Sequence, residues 1–89
     1  MPELTVQLPP ALLRLFPGSA PEATVLASNV AEVIDALDRR WPGMRDRLCD
    51  STPAIRRHLN VFVDGERATL ATPVTARSDV FIMTAISGG

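Results

Sequence analysis

Only one stretch of this chain keeps a helical period long enough to cover another element, and that limits the available folds. Val30, Val33, Ile34, Leu37 and Trp41 recur at helical spacing, while Glu32, Asp35, Asp38 and Arg39 fall on the other side. Asn29 ahead of the stretch has the side chain of an N-cap, Glu32 stands three residues on as its reciprocal partner, and Pro42-Gly43 closes the run. A lone amphipathic helix must lay its stripe on a sheet. Eighty-nine residues, 46% of them apolar, make one domain that buries about 60 to 65% of its extended-chain surface, with no room for a second.

The remaining segments supply the sheet. Glu3 to Leu8 alternates strictly, with Leu4, Val6 and Leu8 on one face and Thr5 and Gln7 on the other, as a half-buried strand does. Pro9-Pro10 stops it, Ala11 to Phe16 is apolar but short, and Pro17-Gly18 with Pro21 reads as loop. Ala23 to Ala27 is the next strand, joined to the first as a hairpin with a long connection. Met44 to Cys49 suits a short helix with Met44 and Leu48 inward, and Asp50 to Pro53 is loop. Leu59 to Val63, then Asp64-Gly65, then Glu66 to Thr69 is a hairpin, because Asp-Gly readily supplies the positive φ angles of a tight turn. Leu70 to Val74 reads as a connecting turn with an inward Leu70, and Asp79 to Ile86 as the last strand. There is no internal repeat and no low-complexity segment.

Strand, strand, helix, hairpin and final strand make an α+β, ubiquitin-like β-grasp arrangement: a mixed four- to five-stranded sheet with one main amphipathic helix across one face. Residues 1–86 form the domain and 87–89 a conformationally free tail, Ser87-Gly88-Gly89. Parity assigns Leu4, Val6, Leu59, Val61, Val63, Val80 and Ile82 to the core. The opposite face takes Thr5, Gln7, Asn60, Phe62, Phe81, Met83 and Ala85. A face open to water should be polar, so Phe62, Phe81 and Met83 either form a docking patch for a partner or are buried by the long loops. The terminal glycine pair admits two readings as well. It is a frayed end, or it is a narrow terminus that another protein draws into a cleft to modify its carboxylate.

Catalysis by the chain itself is not expected. His58, beside Arg56 and Arg57, reads as a surface residue, and Cys49 as a small half-buried hydrophobe. A thiolate relay at Cys49 is the minor alternative, and one His with one Cys cannot close a zinc shell. Gly18, Gly43 and Gly65 stand singly in turns and form no phosphate-binding loop. Arg39, Arg40, Arg45, Arg47, Arg56 and Arg57 are interleaved with Asp38, Asp46 and Asp50, which describes a solvated face, and the net charge is −1. Neither nucleic acid nor membrane is an expected partner. No apolar run approaches a membrane span, the first residues carry no secretory pattern, and a single cysteine suits a reducing compartment, so a cytoplasmic location is expected. All nine basic residues are Arg and none is Lys. Codon bias accounts for this. A functional alternative is that a chain whose C-terminus becomes an activated acyl group gains by carrying no ε-amine to intercept it.

Gly88-Gly89 directly after a final strand, in a chain of this size and order, resembles the ThiS/MoaD family of ubiquitin-like sulfur carriers over its whole length. The segments Leu59-Asn60-Val61-Phe62-Val63-Asp64-Gly65-Glu66 and Ile82-Met83-Thr84-Ala85-Ile86-Ser87-Gly88-Gly89, with the extra Met44 to Arg57 stretch, resemble the CysO-type branch most. The resemblance implies that the Gly89 carboxylate is adenylated by an ATP- and Mg-dependent enzyme related to ubiquitin activators and then becomes a thiocarboxylate, with Ser87 and Gly88 delivering it. In the CysO branch the sulfur goes to an activated serine derivative on a pyridoxal-phosphate synthase, and a metalloprotease later frees cysteine. ATP, Mg and pyridoxal phosphate thus belong to partners, and the chain is a cosubstrate rather than an enzyme. Three alternatives remain. One is the molybdopterin-synthase small subunit, whose aromatic and prolines before the tail are replaced here by Met83-Thr84-Ala85. Another is a ubiquitin-like protein modifier, and the third is a plain ubiquitin-like binding module with an idle tail.

Overall fold

A computed structural model describes residues 2–51, 55 and 59–84. The elements in chain order are β1 (Glu3–Gln7), α1 (Pro10–Leu15), β2 (Glu22–Leu26), α2 (Val30–Arg40), α3 (Met44–Leu48), β3 (Leu59–Val63), β4 (Glu66–Arg67) and β5 (Asp79–Thr84). The strands form one sheet in the order β2-β1-β5-β3-β4. β1 and β5 run parallel and every other pair is antiparallel, which makes the sheet mixed. Its last strand therefore lies in the middle, flanked by β1 and β3.

The expected core is the observed one. Leu4, Val6, Leu59, Val61, Val63, Val80 and Ile82 are all buried, and α2 contributes Val30, Val33, Ile34 and Leu37. Met44 and Leu48 of α3 are fully buried, as their spacing predicts. Trp41 is only half-buried: it is the C-cap of α2 and packs at the margin, with the Arg40 guanidinium 4.9 Å from its ring centroid.

The start of α2 is fixed by three sets of contacts. Asn29 Oδ1 accepts from Glu32 N at 2.8 Å. Glu32 Oε1 accepts from Ser28 N at 2.7 Å, one residue beyond the partner a capping box would give it. The next free amides, Val30 N and Ala31 N, donate to Thr72 O and Leu70 O, both at 3.0 Å, so the connection before β5 closes the helix end. Asn29→Ala should cost about 1 kcal/mol of stability, the usual worth of an N-cap, read as a lower denaturation midpoint at unchanged slope. α3 begins at Gly43, whose φ is 98°, and borrows its cap from α2: Asp38 Oδ1 accepts from Gly43 N at 3.1 Å and Arg45 N at 3.0 Å.

Two expectations need correction, and one segment without an assignment gains an element. The short apolar segment after Pro9-Pro10 is the helix α1, because Pro10 at its first position supplies a helical φ and loses no amide that a helix would use. β4 stops at Arg67 instead of Thr69, after which Thr69 N donates to Thr72 Oγ1 to open the following turn. Leu70 is half-buried and packs on the core's edge rather than within it. The Asp64-Gly65 turn is as expected, with φ of 53° and 84°.

Candidate functional site

The end of β5 gathers the residues singled out in the sequence. On the face away from the core, Phe81 stands directly opposite Phe62 of β3 and beside Gln7 of β1, and Met83 stands opposite Asn60. Strand alternation sets this arrangement. Val80 and Ile82 fill the core at 0% and 2% exposure, while Phe81 and Met83 keep 43% and 50%. Phe62 is half-buried. The loops thus leave Phe81 and Met83 open to solvent, and the structure brings Phe62, Phe81 and Met83 together on adjoining strands.

Polar groups bracket this apolar surface. On one side Arg67, the cross-strand neighbour of Phe62, donates to Asn60 Oδ1 through Nε at 3.1 Å and also through its terminal nitrogen. On the other side Gln7 Nε2 donates to Glu22 Oε2 at 2.8 Å. Each bond ties two neighbouring strands across the open face, so the backbone beneath the patch is held from both flanks.

Thr84 is the last described residue, and Ser87, Gly88 and Gly89 lie outside the described residues, as does Ala85. Their role rests on the sequence and on the place from which the chain departs. That place also borders a feature the sequence reading missed. A groove of about 650 Å³ lies between α1 and α3, lined by Leu12, Leu15, Phe16 and Arg47, and reaches Leu59 and Thr84. Residues 11–16 read only as short and apolar, which concealed it; Pro9-Pro10 followed by Ala-Leu-Leu-Arg-Leu is the available signal for a helix start.

Cys49 is buried at 6% exposure, deeper than the half-buried position expected. His58, Arg56 and Arg57 lie outside the described residues. Among the described residues no group of three or more His, Cys, Asp or Glu side chains could hold a metal ion, and no helix is long and apolar enough to cross a membrane. The arginine-rich segment is a solvated face where it is described, with Arg45 paired to Asp35 at 3.1 Å and both side chains about half exposed.

A mixed sheet with its last strand in the middle, one main helix across one face and an apolar patch on the other is a ubiquitin-like β-grasp. Its structural neighbours include CysO proteins. A chain of the BexX/CysO complex of Amycolatopsis orientalis superposes with a TM-score of 0.83 at 28% identity, covering 97% of this chain and 99% of that one. Mycobacterium tuberculosis CysO gives 0.81 at 26% identity, over 93% and 99%. SAMP1 of Haloferax volcanii shares the fold, with a TM-score of 0.80 at 22% identity over 98% and 99%. No protein-family model and no curated protein matches the sequence.

Proposed function

We propose that this chain is a sulfur carrier that presents the carboxylate of Gly89 to an activating enzyme and then to a sulfur-accepting synthase, with sulfur delivery for cysteine biosynthesis the favoured role. The observation that carries this reading is the placement of β5. The central strand leads toward Gly88-Gly89 and carries Phe81 and Met83 on the open face within a few residues of that end. A partner that grips the patch therefore also fixes where the tail begins. The likeness to two CysO proteins supports the carrier reading and the cysteine branch.

The chemistry needs little from the chain itself. A carboxylate is a poor electrophile because its charge is delocalised and its leaving group is poor. Attack of a Gly89 carboxylate oxygen on the α-phosphorus of ATP releases pyrophosphate and leaves an acyl adenylate. A sulfur nucleophile then adds to the acyl carbon and expels AMP. ATP and Mg sit in the activating enzyme and pyridoxal phosphate in the synthase, while this chain contributes the docking patch, Ser87, the narrow Gly88 and the reacting terminus. The setting is a cytoplasmic one.

A second reading is a ubiquitin-like modifier, favoured by the fold shared with SAMP1. Expression beside the genomic neighbours of its gene, with isotopically labelled sulfide, separates the two. Label appearing in a small-molecule product and passing through this chain supports the carrier. Gly-Gly remnants on lysines of other proteins, with no label transferred, support the modifier. A stable heterotetramer with a larger catalytic subunit would indicate the molybdopterin-synthase alternative.

A further inference from the structure

We infer that the fold and composition together make this chain inert toward its own activated terminus, so that an acyl group at Gly89 waits for a partner's nucleophile and is not captured internally. The inference rests on the Gly89 reading above.

Neutral hydroxyls without an activating base do not compete with water, and an acyl imidazole hydrolyses back to the acid, so three kinds of group could trap such an acyl carbon. The first is an ε-amine, and the 89 residues contain no Lys, so all nine cationic side chains are guanidiniums; these stay protonated and are not nucleophilic. The second is a thiol. The single cysteine, Cys49, is buried at 6% exposure within the core cluster.

The third is the α-amine of the 89-residue chain, and here the topology decides. β1 runs parallel to β5 with Thr5 beside Asp79, so the chain enters the sheet at the end opposite to where β5 leaves it. Ala27 N donating to Pro2 O at 3.0 Å holds Pro2 at that entry. Three residue steps separate Pro2 from Thr5 and five separate Asp79 from Thr84, which puts Pro2 about 26 Å from Thr84 along the strands at about 3.3 Å per residue. Ring closure from Thr84 to Pro2 would run through Ala85 to Gly89, the new amide link and Met1, seven residue steps that span at most about 25 Å when fully extended. Even a taut chain lying straight along the sheet only approaches the separation, and so strained a path leaves the α-amine an effective concentration near zero. An antiparallel pairing of the first and last strands would have put amine and carboxyl at the same end; the parallel pairing keeps them apart.

The test installs the activated group chemically, without any activating enzyme, so that its failure is distinct from failure of the carrier reading. The 89-residue chain is prepared as an aryl thioester at Gly89 and followed by intact mass in mildly alkaline buffer. Internal capture would form an amide from an amine nitrogen and the acyl carbon, break the C–S bond, release the aryl thiol with the amine's proton, and give a ring lighter than the hydrolysed acid by one water. The parent is expected to yield the hydrolysed acid alone, and added hydroxylamine to convert it to the hydroxamate, which shows that the thioester is reactive. Arg47→Lys places an ε-amine on the exposed rim of the groove that reaches Thr84. This variant is expected to give the ring-closed product, with the thioester disappearing about tenfold faster than in the parent, since a tethered amine acts at roughly millimolar effective concentration or better. Ring closure in the parent would overturn the inference. Equal survival of parent and Arg47→Lys would overturn it too, because an amine within reach would then make no difference.

Discussion

A chain lacking Gly89 should melt like the parent and fail to support ATP–pyrophosphate exchange with its activating enzyme. Stability is expected to be indifferent because Gly89 has no side chain to bury and follows the last strand, so its removal should change stability by no more than about 0.5 kcal/mol, as surface changes do. Adenylation depends on distance. The carboxylate oxygen and the α-phosphorus must come within about 3 to 3.5 Å in line for attack. One residue fewer withdraws the carboxylate by about 3.3 to 3.6 Å of extended chain, a whole contact distance. On the proposed reading, docking through Phe62, Phe81 and Met83 would fix the tail's origin and prevent the shortened chain from sliding forward. Exchange below a hundredth of the parental rate, with an unchanged melting curve and retained binding to the enzyme, is the expected outcome, read by radiolabelled pyrophosphate incorporation beside calorimetry.

Val80 and Phe81 are neighbours in sequence and should respond oppositely to the same change. Val80 is fully buried in the core and pairs with Val63 and Val6 in the strands on either side. Val80→Asp places an uncompensated carboxylate there, at a cost of several kcal/mol against the modest total of a small domain, so circular dichroism should show an unfolded chain. Phe81→Asp faces water. It loses the cross-strand contact with Phe62 and part of its packing, together about 1 to 2 kcal/mol, and should remain folded while binding the activating enzyme at least tenfold more weakly. An unfolded Phe81→Asp chain would contradict the open-face assignment. A folded one with parental affinity would remove Phe81 from the docking surface.

The same alternation explains why so much of this fold was legible. Period-two patterning in β1, β3 and β5 and period-3.6 patterning in α2 each name a buried face without reference to the other, and a single helix on a single sheet leaves only one way to join those faces. Val6, Val61, Val80, Ile34 and Leu37 were accordingly placed correctly. The local turn chemistry of Asp64-Gly65 and Asn29 was equally direct. What escaped was short or depended on distant partners. α1 spans too few residues to show a period, and its only full burial is Leu12. Asp38 caps α3 from another helix, and Glu32 reaches Ser28 rather than Asn29; both depend on how neighbouring segments meet, which the order of residues does not encode locally. The site divides along the same line. Phe81 and Met83 could be read as an anomaly on a face that ought to be polar, whereas the groove beside Thr84 needed α1 to be seen first.

The central claim is that the terminal carboxyl of Gly89 exchanges an oxygen for sulfur, and the mass of the C-terminal peptide tests it most directly. The protein is to be incubated with its cognate activating enzyme, ATP, Mg and a sulfur source, then digested and measured. The account predicts a peptide ending in Gly88-Gly89 that is heavier by the difference between sulfur and oxygen, with the increment on Gly89 alone and lost on alkylation-sensitive transfer to the synthase. A terminal peptide that never carries the increment, in a preparation where the enzyme does adenylate Gly89, would contradict it.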